Sequence, residues 1–255
     1  IYMSDPIGCP QYELIDISSE RRSHFSGMRN INDDISIPCT YFRDLKKLHP
    51  DIRNENTYDF DIFQKYLDSH KLPQYNNTVS HHTVTSLQTF KTWYERSPCH
   101  NNSDVMCNLL TKDIFGMSFK KSSLTPNLWT YYNKNFFALD NNGFGNENLL
   151  HNYGFVGVIR FNVTNTKKNI KITISSSDDS WVFVNGSIYI DNGGVHETYG
   201  ETVWVSTPHM WDTHEVSIYY MQRSLIHSAV LSIAIHGNIF DCDGDPTNPW
   251  NNNDT

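Results

Sequence analysis

Ser175-Ser176-Ser177-Asp178-Asp179-Ser180-Trp181-Val182-Phe183-Val184-Asn185-Gly186-Ser187-Ile188-Tyr189-Ile190-Asp191-Asn192-Gly193-Gly194-Val195-His196 reads as a β-hairpin with an acidic end. Its apolar arms, Trp181 to Val184 and Ser187 to Ile190, flank Asn185-Gly186, the pair that suits a two-residue turn with positive φ at both central positions. Folding the arms back on that turn brings Asp178-Asp179 and Asp191-Asn192-Gly193-Gly194 to one end. Outward from the hairpin, short runs rich in β-branched and aromatic residues alternate with turn residues: Phe155 to Val163, Ile170 to Ser175, Thr202 to Val205, Glu215 to Tyr220 and Ala229 to His236. Their spacing of roughly 10 to 15 residues predicts a mainly β chain folded as an antiparallel β-sandwich.

The first half adds one or two short helices. Tyr58 to His70 carries Phe60, Phe63, Tyr66 and Leu67 at helical spacing, begun near Asn56-Thr57. Ser86 to Glu95 predicts a second helix with Leu87, Phe90, Trp93 and Tyr94 on one side, stopped by Ser97-Pro98. Both are expected to pack on a sheet. No fixed-period repeat is visible, and the composition shift near residue 125 marks no domain boundary. The division expected is an N-terminal extension over 1–40, one sandwich domain over 41–240 and a C-terminal tail over 241–255.

The 255 residues give room for one large domain or two small ones. A mean hydropathy of -0.53, with no uncharged apolar run near the ~18 residues of a spanning helix, predicts no membrane span. Against 20 Lys plus Arg stand 28 Asp plus Glu, a net charge of -8 that offers no basic field to a phosphate backbone and excludes nucleic acid as a partner. Charged residues, at 19%, are replaced by Asn, Ser and Thr, as in Asn76-Asn77-Thr78 and Asn251-Asn252-Asn253. Such a surface reads as extracellular.

Cysteines lie at 9, 39, 99, 107 and 242 with no C-x-x-C pair, so they read as oxidised rather than zinc-bound. Cys99 and Cys107 bracket a polar loop and are expected to form a local bridge. Cys9, Cys39 and Cys242 then leave one thiol over, which suits a pairing outside this chain. Sequons at Asn76, Asn101, Asn162, Asn185 and Asn253 predict N-glycosylation. With an opening at Ile1 and no basic-then-apolar leader, the chain reads as a fragment or processed form of a longer secreted or cell-surface protein.

Two adjacent carboxylates repel unless something positive lies between them. Asp178, Asp179 and Asp191, with Asn and glycine carbonyls, form the hard-oxygen set that calcium takes in six- to eight-fold coordination. The same residues also read as two solvated turns. Asp241-Cys242-Asp243-Gly244-Asp245 opens like an EF-hand loop, but Pro246 and Asn252 stand where that loop needs glycine and glutamate. His81-His82 reads as packing or exposed histidine. No G-x-S-x-G, H-E-x-x-H or Cys/His nucleophile context occurs, and neighbouring aspartates seldom straddle a glycosidic bond at the required ~5 to 9.5 Å, so no enzyme is expected.

The hairpin sequence resembles the core signature of the fibro-slime domain, within the superfamily of the anthrax protective-antigen-type sandwich that yeast flocculins and slime-mould secreted factors share. Tyr41-Phe42-Arg43-Asp44, His49-Pro50-Asp51, Phe90-Lys91-Thr92-Trp93-Tyr94, Phe136-Phe137-Ala138-Leu139-Asp140, His151-Asn152-Tyr153-Gly154-Phe155 and Tyr219-Tyr220-Met221-Gln222-Arg223 fall in that family's order, so the resemblance spans about residues 41 to 237. It implies a β-sandwich or jelly-roll-like domain of extracellular proteins. It also implies calcium held by Asp178 and Asp179, with Asp191 and the carbonyls around Asn192 and Gly193 completing the set and Asn185 lending an oxygen. Trp181 and His196 are expected near a bound extracellular glycan or glycoprotein; the alternative is a structural module contacting other subunits of an extracellular assembly. Three departures bear on the metal: Ser176 and Ser177 replace a glycine and a third aspartate, Gln222 replaces an acidic residue and leaves Arg223 to find another partner, and Asn192 replaces an apolar residue.

Overall fold

A strand covered on one face alternates apolar and polar residues, whereas a strand covered on both reads as a continuous apolar run. Both kinds occur here. A computed structural model describes residues 35–37, 40–45, 49–94, 113–114, 117–143, 145–164, 169–207, 209, 212–226 and 228–240. All five cysteines, the sequons at Asn101 and Asn253 and the acidic stretch from Asp241 lie outside the described residues.

One sheet runs, in spatial order, through β1 (Ile35–Ile37), β5 (Met117–Lys121), β6 (Leu128–Asn133), β14 (Val230–His236), β8 (Asn169–Ser177) and β12 (Tyr199–Ser206). The other runs through β10 (Ser187–Asn192), β9 (Asp179–Val184), β13 (Thr213–Gln222), β7 (Phe155–Thr164), β2 (Thr40–Asp44) and β4 (Asp113–Ile114), with β15 (Asn238–Phe240) also on β7. A two-stranded ladder joins β3 (Thr57–Tyr58) to β11 (Gly194–Val195). The ladders are antiparallel, as the sequence predicts. β1 pairs with β5, so the sandwich takes in residues ahead of position 41.

β8 and β14 alternate, and their Ile170, Ile172, Ile174, Leu231, Ile233 and Ile235 enter the inter-sheet core. β7, β9 and β13 do not. One set of their side chains, including Ile159, Val182 and Ile218, meets that core. The other set, Val156, Val158, Trp181, Phe183, Tyr219 and Met221, meets a third layer built from Leu45 and residues 49–94. Continuous burial of β9 thus follows from cover on two faces.

The helix α1 (Leu87–Tyr94) lies in that layer where Ser86 to Glu95 predicts it. Ser86 Oγ accepts from the Thr89 N–H at 3.1 Å while Thr89 Oγ1 accepts from the Ser86 N–H at 3.0 Å, a reciprocal cap on the first turn. Phe90, Trp93 and Tyr94 are buried, whereas Leu87 is exposed, contrary to its expected place on the apolar side.

No helix forms over Tyr58 to His70. Its backbone N–H groups go to distant partners instead: Asp59 to the Gly193 carbonyl, Gln64 to Gln74 and Leu67 to Gly186, all at 2.8 to 2.9 Å. Phe63 leaves its expected helical stripe to stack on Trp181 at 4.0 Å, while Phe60 and Tyr66 stay exposed. Tertiary contacts with the hairpin override the local period.

Candidate functional site

The Asn185–Gly186 turn has φ of 49° and 77°, and the β9–β10 hairpin pairs Asp191 with Trp181 and Asn192 with Ser180. The acidic loop and the Gly193–Gly194 turn therefore share one end, as the sequence predicts. Asn185 sits at the opposite end, where its Oδ1 accepts from the Glu215 N–H at 3.0 Å. It is not near Asp178, because the full length of β9 separates them.

Asp178 and Asp179 are fully buried, not presented to solvent. Asp178 Oδ1 accepts from the His196 N–H at 3.2 Å. Its Oδ2 accepts from the Arg223 and Ser224 N–H groups at 3.0 and 2.7 Å and from Gln222 Nε2 at 3.2 Å. Asp179 takes the Arg223 guanidinium two-pronged, Nε and Nη2 each at 2.8 Å, and accepts the Gly194 N–H at 2.6 Å. The positive charge that the adjacent carboxylates require is a guanidinium of the same chain.

Arg223 carries this end of the sandwich into the third layer. Its Nη1 donates to the Thr83 carbonyl, its Nη2 to Thr83 Oγ1 at 2.8 Å, and its face lies 5.1 Å from the Trp93 ring. Thr83 in turn donates N–H and hydroxyl to Asp59 Oδ2, each at 2.7 Å, and Trp93 Nε1 donates to Asp51 at 2.9 Å. Burial opposes charge on both sides of the ion pair, raising Asp179, while Asp179, Asp51 and Asp178 hold Arg223 above its ordinary range. The guanidinium keeps its proton, so a full positive charge stands between the acid pair and the third layer.

The other expected ligands are likewise engaged. The Asn192 carbonyl faces His196 Nε2 at 3.1 Å, the Gly193 carbonyl accepts the Asp59 N–H at 2.9 Å, and Asp191 accepts the Asp61 and Gly193 N–H groups at 2.7 and 3.1 Å. As arranged, these oxygens face N–H donors and do not fit a calcium ion, which takes oxygens turned toward one centre. Ser176 and Ser177 extend the same polar pocket: Ser176 Oγ donates to the Asp178 carbonyl at 2.9 Å.

Trp181 and His196 are buried and present no surface to a ligand. Trp181 lies on the doubly covered β9 under Phe63, and His196 stacks on Tyr58 at 4.8 Å. What opens to solvent is a cleft of about 660 Å³ on the β10 side of the hairpin, lined by Phe60, Asp61, Tyr189, Asp191, Tyr199 and Glu201 among others. The helical spacing of Tyr58 to His70 hides it, because it puts Phe60 and Asp61 on a helix. The sequons separate in kind: Asn185 is exposed at a turn, Asn162 lies within the β7 ladder, and Asn76 lies at the cleft, its Oδ1 accepting from Thr78.

Two titrations at this end run in opposite directions. Burial, with the Arg223 charge, outweighs Asp51 and lowers His49 to about 4. Burial raises Asp191 to about 6 against its two backbone N–H bonds, and the Asp61 charge adds to the rise. The stability held by neutral His49 is complete above the unfolded value of 6.5 and lost as pH falls toward 4, by roughly 3 kcal/mol. Asp191 costs stability above pH 6 and returns it as pH falls toward 3.8, by about 2 kcal/mol after allowance for partial solvent access. Asp191→Asn removes that return. Urea unfolding from pH 6.5 to 4 is expected to show an acid loss about 2 kcal/mol larger in the variant than in the wild type; parallel profiles contradict the assignment.

No family model matches the chain. It is similar to proteins of Dictyostelium discoideum: 29% identical to psiB over 118 residues, 42% of this chain and 21% of that protein. It is 28% identical to psiE over 119 residues, 42% and 23% of the two chains, and 27% identical to psiJ over 202 residues, 67% and 26%. The chain thus spans about a fifth to a quarter of the length of these curated relatives. Among solved structures, a PA14 sugar-binding domain from an RTX adhesin shares 18% identity over 35% of this chain and 52% of that one, with a TM-score of 0.25. A beta-glucosidase from Kluyveromyces marxianus shares 11% over 34% and 12%, with a TM-score of 0.29. At TM-scores this low neither structure bears on the site.

Proposed function

We propose that this chain is a non-enzymatic recognition domain of an extracellular protein, which meets a glycan or glycoprotein at the cleft beside Asp191 and uses Asp178 and Asp179 to hold the fold. The observation that carries this reading is the contrast between the acid pair buried at the start of β9 and the cleft that opens along β10. The acid pair has no exposed surface and its oxygens are taken by N–H donors, whereas Phe60, Tyr189 and Tyr199 line an open cleft and stand 49%, 40% and 38% exposed. Flat aromatic faces beside carboxylate and amide acceptors suit ligands that combine apolar and hydroxyl surfaces.

The test is retention of the labelled domain on an immobilised mucin-type glycoprotein, with and without chelator. Retention is expected to survive chelation and to fall in Phe60→Ala and Tyr199→Ala, while thermal melts with and without calcium coincide. Retention lost on chelation, or unchanged in both cleft variants, overturns the reading.

A further inference from the structure

We infer that the cleft along β10 selects ligands that carry a primary ammonium, as an amino sugar or a lysine side chain does. This deepens the recognition reading and rests on it.

Asp179 faces the Arg223 guanidinium at 2.8 Å, and Asp59 faces the imidazole of His81 at 3.0 Å. Asp191 has backbone N–H donors instead, from Asp61 and Gly193. Backbone donors satisfy its lone pairs without supplying the counter-charge that a partly buried carboxylate lacks. Asp61 and Glu201 line the same cleft and are exposed, so three carboxylates face it. Lys65, whose Nζ lies 5.4 Å over the Tyr66 ring, is the cation among the lining residues, which leaves the cleft net negative when Asp191 is ionised.

Aromatic rings complete the arrangement. Tyr58 stacks on Phe60 at 5.8 Å and meets Tyr199 edge-on at 5.5 Å, a three-ring wall with Phe60 and Tyr199 bordering the cleft. An ammonium gains from the negative face of such rings and from the carboxylates together, while a neutral hydroxyl gains less from either and an anion is repelled. Burial raises the Asp191 carboxyl to about 6, and the neighbouring Asp61 charge adds to the rise.

The experiment titrates the folded domain, with Asn76 free of glycan, using three probes: a β-1,4-linked glucosamine trimer, its fully N-acetylated counterpart, and acetyl-Lys-Gly-Lys-amide. The glucosamine trimer or the lysine peptide is expected to bind at least about tenfold more tightly than the acetylated trimer, and to weaken as salt is raised. Which of the two binds distinguishes a sugar source of the ammonium from a protein source. Asp61→Asn with Glu201→Gln, two exposed substitutions that leave the core untouched, are expected to lower the affinity about tenfold and flatten the salt dependence. Equal binding of the acetylated trimer, or an unchanged affinity in the double variant, overturns the ammonium inference and leaves recognition at the cleft standing. Binding of neither cationic probe, with glycoprotein retention intact, does the same; loss of that retention as well removes the recognition reading.

Discussion

Arg223→Met lowers the stability of the domain by about 3 to 5 kcal/mol, because truncating one partner of a buried ion pair leaves the other charge uncompensated. Asp179 then keeps a single donor, the Gly194 N–H, and Asp178 stays next to it without the guanidinium between the third layer and the sandwich. Thr83 loses its two contacts from the guanidinium, and Trp93 loses the cation over its ring. Asp179→Asn on the same background restores part of the loss by removing the stranded charge. The two substitutions are therefore expected to be non-additive by about 1 to 3 kcal/mol in a denaturation cycle. A loss below about 1 kcal/mol for Arg223→Met would show that the guanidinium is not the counter-charge of the acid pair.

Gly194→Ala is expected to cost about 2 to 6 kcal/mol, as the sum of two separate penalties. Gly194 has φ of 113°, a conformation that side chains rarely adopt, which contributes about 1 to 3 kcal/mol. A Cβ there would also lie 2.3 Å from the Thr57 carbonyl oxygen and 2.6 Å from the Asp59 nitrogen, and both are backbone atoms that give way only if β3 moves off β11, adding about 1 to 3 kcal/mol. The Gly194 N–H is the one that Asp179 accepts, so displacing this turn loosens the acid pair as well. Differential scanning calorimetry of the variant checks it; a melting temperature within a degree or two of wild type contradicts the close approach.

The sandwich was legible because its signals are local. The alternating isoleucines of β8 and β14, and the Asn185-Gly186 turn, each carry their own period or dihedral demand, and these elements lie where the sequence places them. The stretch from Tyr58 to His70 was not legible, because its spacing meets a helical template while its backbone partners, such as Gly193 and Gly186, lie more than a hundred residues away. The acid pair was legible as a need for positive charge and not as to its source. Arg223 stood in the sequence as a residue awaiting a partner after Gln222, yet nothing in spacing joins position 179 to 223; the β9–β13 ladder, which pairs Asp179 with Met221, does. Gly193 and Gly194, whose carbonyls the sequence offers to the oxygen set, let residues 57–59 approach the hairpin closely. Trp181 was misplaced as a ligand contact because a tryptophan beside an acidic loop looks the same in sequence whether its strand is covered on one face or two.

The most direct measurement is a crystal structure of the domain grown in millimolar calcium chloride. The account predicts the Arg223 guanidinium on both oxygens of Asp179, with N–H donors on both oxygens of Asp178 and no metal density between the two carboxylates. A calcium ion coordinated by Asp178 and Asp179, with Arg223 turned away from them, would contradict it.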